Sequence, residues 1–115
     1  MKRLAAAVAV AAAMAAGAAF ADTVQNSFGN TIIVTYANGT AVRYYLNADN
    51  TFSIAAPDGT TTQGTYEIAG DQICFTPTGG ERGCTGYVGD KNVGDTWTQT
   101  ATNGSSITVS LEAGR

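Results

Sequence analysis

The chain has 115 residues, no histidine, one tryptophan, two cysteines, 13% charged residues and a formal net charge of −3. That length holds one domain. Without imidazole the commonest general base and metal ligand are both missing, so zinc hydrolases, Ser-His and Cys-His nucleophile systems and haem ligation find no support.

Met1, Lys2 and Arg3 form a positive start, Leu4 to Ala16 is an unbroken apolar run, and Ala19-Phe20-Ala21 fits a small-x-small cleavage rule. This is the three-part anatomy of a secretory signal peptide, with cleavage expected after Ala21 and Ala19 as the alternative. The run is too short and too alanine-rich for a stable membrane span. No cysteine follows it to carry a lipid. The leader holds 18 of the 51 hydrophobic residues, which leaves 33 in the 94-residue segment 22–115. That segment carries four basic and nine acidic residues, a balance of −5. Phosphate backbones and anionic lipid need clustered Lys and Arg, so neither a nucleic acid nor a membrane surface is the expected partner. A periplasmic or secreted location is expected.

In chain order, Asp22 to Gly29 reads as a loose lead-in or a first edge strand. Beyond it no helical pattern of useful length exists; threonine favours strands and glycine punctuates them. Strands are predicted at Thr31–Tyr36, Ala41–Leu46, Thr51–Ala56, Thr61–Ile68, Gln72–Pro77, Cys84–Val88, Thr96–Ala101 and Ser106–Glu112. Turns fall at Asn38-Gly39, Asp49-Asn50, Asp58-Gly59, Gly70-Asp71, Gly79-Gly80, Gly89-Asp90 and Asn103-Gly104. Eight short strands with short connections predict an all-β fold: a single antiparallel up-and-down meander forming a small barrel or sandwich.

Register follows from the face each residue must occupy. A three-residue loop at Ala37-Asn38-Gly39 pairs Val34 with Val42 and Ile32 with Tyr44, placing Ile32, Val34, Tyr36, Val42, Tyr44 and Leu46 on one face. A two-residue turn would mix the faces. Gly39 supplies the left-handed bulge position. The same logic at Thr102-Asn103-Gly104 pairs Trp97 with Val109 and Gln99 with Ile107. The expected core is Ile32, Val34, Val42, Tyr44, Leu46, Phe52, Ile54, Tyr66, Ile68, Ile73, Phe75, Trp97, Ile107, Val109 and Leu111. A domain this small is expected to fill its interior rather than keep a large empty cavity.

Cys74 and Cys84 enclose nine residues with Pro77 and Gly79-Gly80 at the turn, so the two strands bring them opposite each other. In an exported chain this predicts a structural disulfide. Cys74 has opposite parity to Ile73 and Phe75, which puts the bridge on the outer side.

Few groups point to chemistry. Asp90-Lys91-Asn92-Val93-Gly94-Asp95 has oxygen-bearing side chains but lacks the ligand alternation and bidentate Glu of an EF-hand, and reads as a polar turn. Asp71 and Glu81 are the carboxylates that could meet as an acid/base pair. No serine sits in a nucleophile elbow. The glycine-rich stretch Gly79 to Gly86 belongs to a hairpin and cradles no phosphate. No cofactor is expected. Ile33, Arg43 and Tyr45 fall together on the outer face and form the candidate contact surface.

Asn47-Ala48-Asp49-Asn50-Thr51-Phe52, Gly64-Thr65-Tyr66-Glu67-Ile68 and Gly70-Asp71-Gln72-Ile73-Cys74 resemble small exported bacterial all-β proteins of uncharacterised function. These share a Gly-Thr-aromatic, Gly-Asp-x-Ile/Leu-Cys and second-Cys core; the similarity runs from about Asn30 to Arg115. The meander is also similar, more loosely, to lipocalin-like barrels, though shorter and without their Gly-x-Trp start. The expected function is non-enzymatic binding or a cell-envelope accessory role, with an unknown protein or small ligand as partner. The alternatives are a small-ligand carrier and an exported protease inhibitor.

Overall fold

A computed structural model describes residues 22–101 and 103–115; the predicted leader, residues 1–21, lies outside them. The first element is a short helix, α1 (Thr23–Ser27), where the sequence had suggested a lead-in or an edge strand. Asp22 caps it by accepting the Val24 N–H at 3.2 Å, and Thr23, Val24 and Ser27 are buried. One capped turn that packs its own side chains needs no periodic pattern, and none announces it.

Eight strands follow: β1 (Thr31–Thr35), β2 (Ala41–Leu46), β3 (Thr51–Ala55), β4 (Thr61–Ala69), β5 (Gln72–Pro77), β6 (Gly83–Gly86), β7 (Thr96–Thr100) and β8 (Ser106–Glu112). All pairings are antiparallel, in the order β6-β5-β4-β3-β2-β1-β8-β7. The sheet curls into a nearly closed barrel. Its first and last strands pair in register, Val34 with Val109 and Ile32 with Leu111. The break lies instead between β6 and β7, neighbours in sequence that share no ladder.

The predicted registers hold: Val34 faces Val42, Ile32 faces Tyr44, Trp97 faces Val109 and Gln99 faces Ile107. The same hairpin closure recurs four times. Tyr36, Asn47, Ala56 and Ala101 each donate an N–H to the carbonyl four residues on, at 2.8–2.9 Å. The last loop residue, Gly39, Asn50, Gly59 or Gly104, has φ of 68–89°. Asn38, Asp49, Asp58 and Asn103 accept the N–H two residues on, at 2.9–3.1 Å. This three-residue loop with a bulge matches the right-handed twist that a tightly curled sheet requires.

The core divides into two clusters. Val24, Leu46, Phe52, Tyr66 and Ile73 form one beneath α1, and Val34, Ile107 and Val109 form the other against β7. Phe75 links the aromatic packing, edge-on to Tyr44 at 5.4 Å and to Phe52 at 5.1 Å. Ile68 does not join the core: it is 42% exposed. It has the parity of Tyr66 and pairs with the buried Ile73, but it stands one pair from the two-residue turn at Gly70-Asp71, at the end of the hairpin.

Cys74 and Cys84 are direct cross-strand partners joined by a disulfide, with Cα atoms 4.0 Å apart. Cys74 alternates with the inward Ile73 and Phe75, as expected for the outer side, yet it is only 1% exposed. Its other cross-strand neighbour, Glu67, forms an ion pair with Arg82.

Candidate functional site: the barrel interior and its seam

Between the two clusters the barrel keeps a cavity of about 300 Å³. A filled interior was expected from the chain's length, so this is a correction. The physical reason is a lack of bulk on one wall, where β6 presents Gly83, Thr85 and Gly86 beside an edge that shares no ladder with β7. Ile32, Tyr44, Phe75 and Trp97 consequently remain half-buried although all four point inward.

The walls are apolar and aromatic. Val34 and Tyr44 supply one side, Ile107 and Trp97 another, and Ile73 and Phe75 the floor towards β5. The β6 wall is made of Gly83, Thr85 and Gly86 and contributes almost no bulk. Val24 and Tyr87 close the end beneath α1. Among the described residues that line the cavity there is no aspartate, glutamate, lysine or arginine.

Side chains span the seam where backbone does not. Thr85 donates its hydroxyl to the Thr100 carbonyl at 2.8 Å. Gln99 donates from Nε2 to the Gly86 carbonyl at 3.0 Å and to Thr85 Oγ1 at 3.2 Å. The Gln99 carbonyl oxygen receives the Trp97 indole N–H at 2.7 Å, which fixes the indole at the cavity edge. Both amide functions of Gln99 are therefore in use.

The end beneath α1 is closed in the same manner. Tyr87 donates its O–H to the Asp22 carboxylate at 2.6 Å, and burial followed by that bond pushes its phenol up to about 12. Thr23 donates to the Val88 carbonyl and accepts the Lys91 N–H at 3.0 Å. At the opposite end Tyr36 and Tyr44 both line the cavity. Burial is the main reason the Tyr44 phenol is raised well above its ordinary value, with Tyr36 adding to it.

The other residues singled out from sequence are elsewhere. Ile33 and Arg43 are direct cross-strand partners on the outer face and line a shallow groove with Asn38, Ala55 and Pro57. Tyr45 shares their face by alternation but does not line that groove; the Arg115 guanidinium lies 5.4 Å from its ring centre. Arg115 also donates to the Asn30 carbonyl at 2.7 Å and to Asn47 Oδ1 at 3.0 Å. Asp71 and Glu81 lie at opposite ends of β5, about 20 Å of strand apart, so they do not form a pair. In the Asp90–Asp95 loop the Asp95 carboxylate accepts the Asn92 N–H at 2.8 Å, and Asn92 Oδ1 receives the Asn26 amide at 3.3 Å. Among the described residues no three His, Cys, Asp or Glu groups gather as a metal site.

Sequence reasoning identified the inward residues but missed the cavity between them. The available signal was the loop from Tyr87 to Asp95, the longest connection between strands, together with glycines at both ends of β6. No family model, curated protein or solved structure matches the chain. Among the described residues no helix is long and apolar enough to cross a membrane.

Proposed function

We propose that the chain is an exported, non-enzymatic carrier that holds one small, largely apolar molecule inside the barrel. The observation that carries this reading is the uncharged cavity of about 300 Å³, which is at the lower end of ligand-pocket size. An apolar cavity of about half that volume is enough for benzene, so this one has room for two fused rings or a ring with a short chain. The leader anatomy and the Cys74–Cys84 bridge support export. The resemblance to lipocalin-like barrels points the same way.

Naphthalene titrated into the oxidised 22–115 domain tests this directly. Trp97 is the only tryptophan and lines the cavity, so its emission reports on occupancy alongside calorimetry. Saturable binding is expected, and Ala101→Leu, which adds bulk to the lining, should weaken it at least tenfold. Neither heat nor an emission change up to the solubility limit would count against a carrier. An accessory role through protein contact is the second reading, favoured by the outer groove at Ile33 and Arg43.

A further inference from the structure

Lys91 stands in the connection between β6 and β7, at the end of the seam next to α1. α1 pins its backbone on both sides: the Lys91 N–H donates to Thr23 Oγ1 at 3.0 Å, and its carbonyl accepts the Asn26 amide at 2.9 Å. The side chain lies over the indole of Trp97, with Nζ 5.6 Å from the ring centre. Thr23 and Trp97 both line the cavity, so a lysine outside the lining rests on its rim. Its side chain is only 26% exposed. The one ion pair it makes among the described residues is with Asp90 at 4.0 Å, and the Asp90 side chain is 82% exposed. That separation is beyond hydrogen-bond length, and a surface pair of this kind contributes little. Two other carboxylates at this end are committed, Asp22 to the Tyr87 O–H and Val24 N–H, Asp95 to the Asn92 N–H. A largely covered ammonium has three donors to offer, and an anion brought by a ligand can take them in charge-assisted hydrogen bonds.

We infer that the cavity takes an aromatic monocarboxylate, its ring between the apolar walls and its carboxylate at the Lys91 ammonium on the rim. This rests on the carrier reading and adds the class of ligand to it. Trp97 joins the two parts, because its ring borders the cavity and also carries the ammonium. One cation matches one negative charge. At a rim that is still partly exposed the carboxylate keeps some of its hydration, so the full cost of burying a charge does not arise. The acidic balance of segment 22–115 repels anions at long range, so a preference for one has to come from this local cation.

Three probes with one ring system test this on the oxidised 22–115 domain: naphthalene, 2-acetylnaphthalene and 2-naphthoate at neutral pH. Naphthoate and the ketone have nearly the same shape and differ in charge, so the ratio of their affinities isolates the ammonium. Naphthoate is expected to bind about tenfold more tightly than the ketone, the effect of a hydrogen bond to a charged group at a partly exposed site. Lys91→Met keeps an unbranched side chain over the indole and removes the charge, so the ratio should fall to about one; an unchanged urea midpoint shows that the barrel is intact. The wild-type ratio can also be read at about 0.02 M and 0.5 M NaCl without any variant, and it should fall at the higher salt. A ratio near one in the wild type would overturn the inference while leaving the carrier reading standing. So would a naphthoate preference that survives Lys91→Met or is indifferent to salt. Failure of all three probes to bind would overturn both.

Discussion

Gln99 and Thr85 stand on the two sheet edges that have no backbone ladder, and the bond between their side chains is part of what holds the barrel shut. Gln99 also holds the Trp97 indole, so one amide couples seam closure to the shape of the cavity edge. Gln99→Ala removes three hydrogen bonds at a half-buried site. The expected cost is about 1–2 kcal/mol in urea unfolding, because water replaces part of what is lost. Quenching of Trp97 by acrylamide should rise at the same time. Unchanged quenching would show that the seam is not held by this side chain.

The disulfide acts on the same seam from its other side. β6 has four residues and a single ladder partner, β5, and Cys74–Cys84 ties the two at the middle of that ladder. A cross-link closing a loop of this size stabilises by about 3 kcal/mol through the unfolded chain. Cys74→Ala/Cys84→Ala should lower the urea midpoint accordingly. It should also speed amide exchange at 83–86 more than at β1 or β8. A uniform change along the chain would argue that β6 is held by something else.

Acid stability follows from the repeated hairpin. The Thr51 and Thr60 hydroxyls, then their backbone N–H groups, hold the Asp49 and Asp58 carboxyls below the usual range. Their contribution is present above the ordinary carboxylate value of about 3.9 and is lost as pH falls below it towards the lowered folded values. The sister hairpins make the same bond with Asn38 and Asn103, which do not titrate. Asp49→Asn/Asp58→Asn should therefore fold normally and lose less stability than the wild type between about pH 5 and pH 2.5. Parallel unfolding midpoints across that range would refute the link.

At the alkaline end the sign reverses. Tyr87 is raised to about 12 by burial and by its bond to Asp22. A raised phenol contributes stability below the unfolded value of about 10, and that contribution is lost as pH climbs through the folded value. Tyrosine absorbance at 295 nm should accordingly show a late-titrating fraction, and Tyr87→Phe should reduce the alkaline loss of stability between about pH 10 and pH 12. A titration in which all five tyrosines ionise together near pH 10 would contradict this.

The parts of the fold that were legible in sequence are those set by local rules. Asn38-Gly39 and Asn103-Gly104 placed the turns, and the alternation of apolar residues on either side then selected the three-residue loop and with it the register. The Cys74–Cys84 pairing followed from the same parity. Closure was not legible, because alternation says which way Trp97 and Tyr44 point and nothing about how far apart opposite walls stand. The seam is a property of the whole sheet, and the cavity beside it depends on how little Gly83, Thr85 and Gly86 fill. Tyr45 was read as a free surface aromatic because no local rule brings Arg115 across from the far end of the chain to cover it. Ile68 kept the right parity but is exposed at the end of its hairpin.

Gly64 carries a constraint of a different kind from the turn glycines. It lies inside β4 opposite Phe52, whose side chain is only 2% exposed and packs over it. A Cβ built there would stand 2.7 Å from Pro77 Cα and 2.9 Å from Phe52 Cε1, and closer still to the Thr76 carbonyl oxygen. Two of those three neighbours are backbone atoms of the paired strand, so no rotamer change relieves the contact. β4 and β5 must separate, and the Phe52 ring must shift as well. Gly64→Ala should cost about 3 kcal/mol, the upper range for overpacking a close-packed site. Gly86→Ala provides the comparison, because a Cβ there meets nothing within 4 Å. It should change stability by no more than about 0.5 kcal/mol, since alanine also restricts the unfolded chain. Urea midpoints of the two variants decide the matter: similar losses at both positions would mean that Gly64 is not a packing glycine, and that Phe52 does not depend on the bare backbone beneath it.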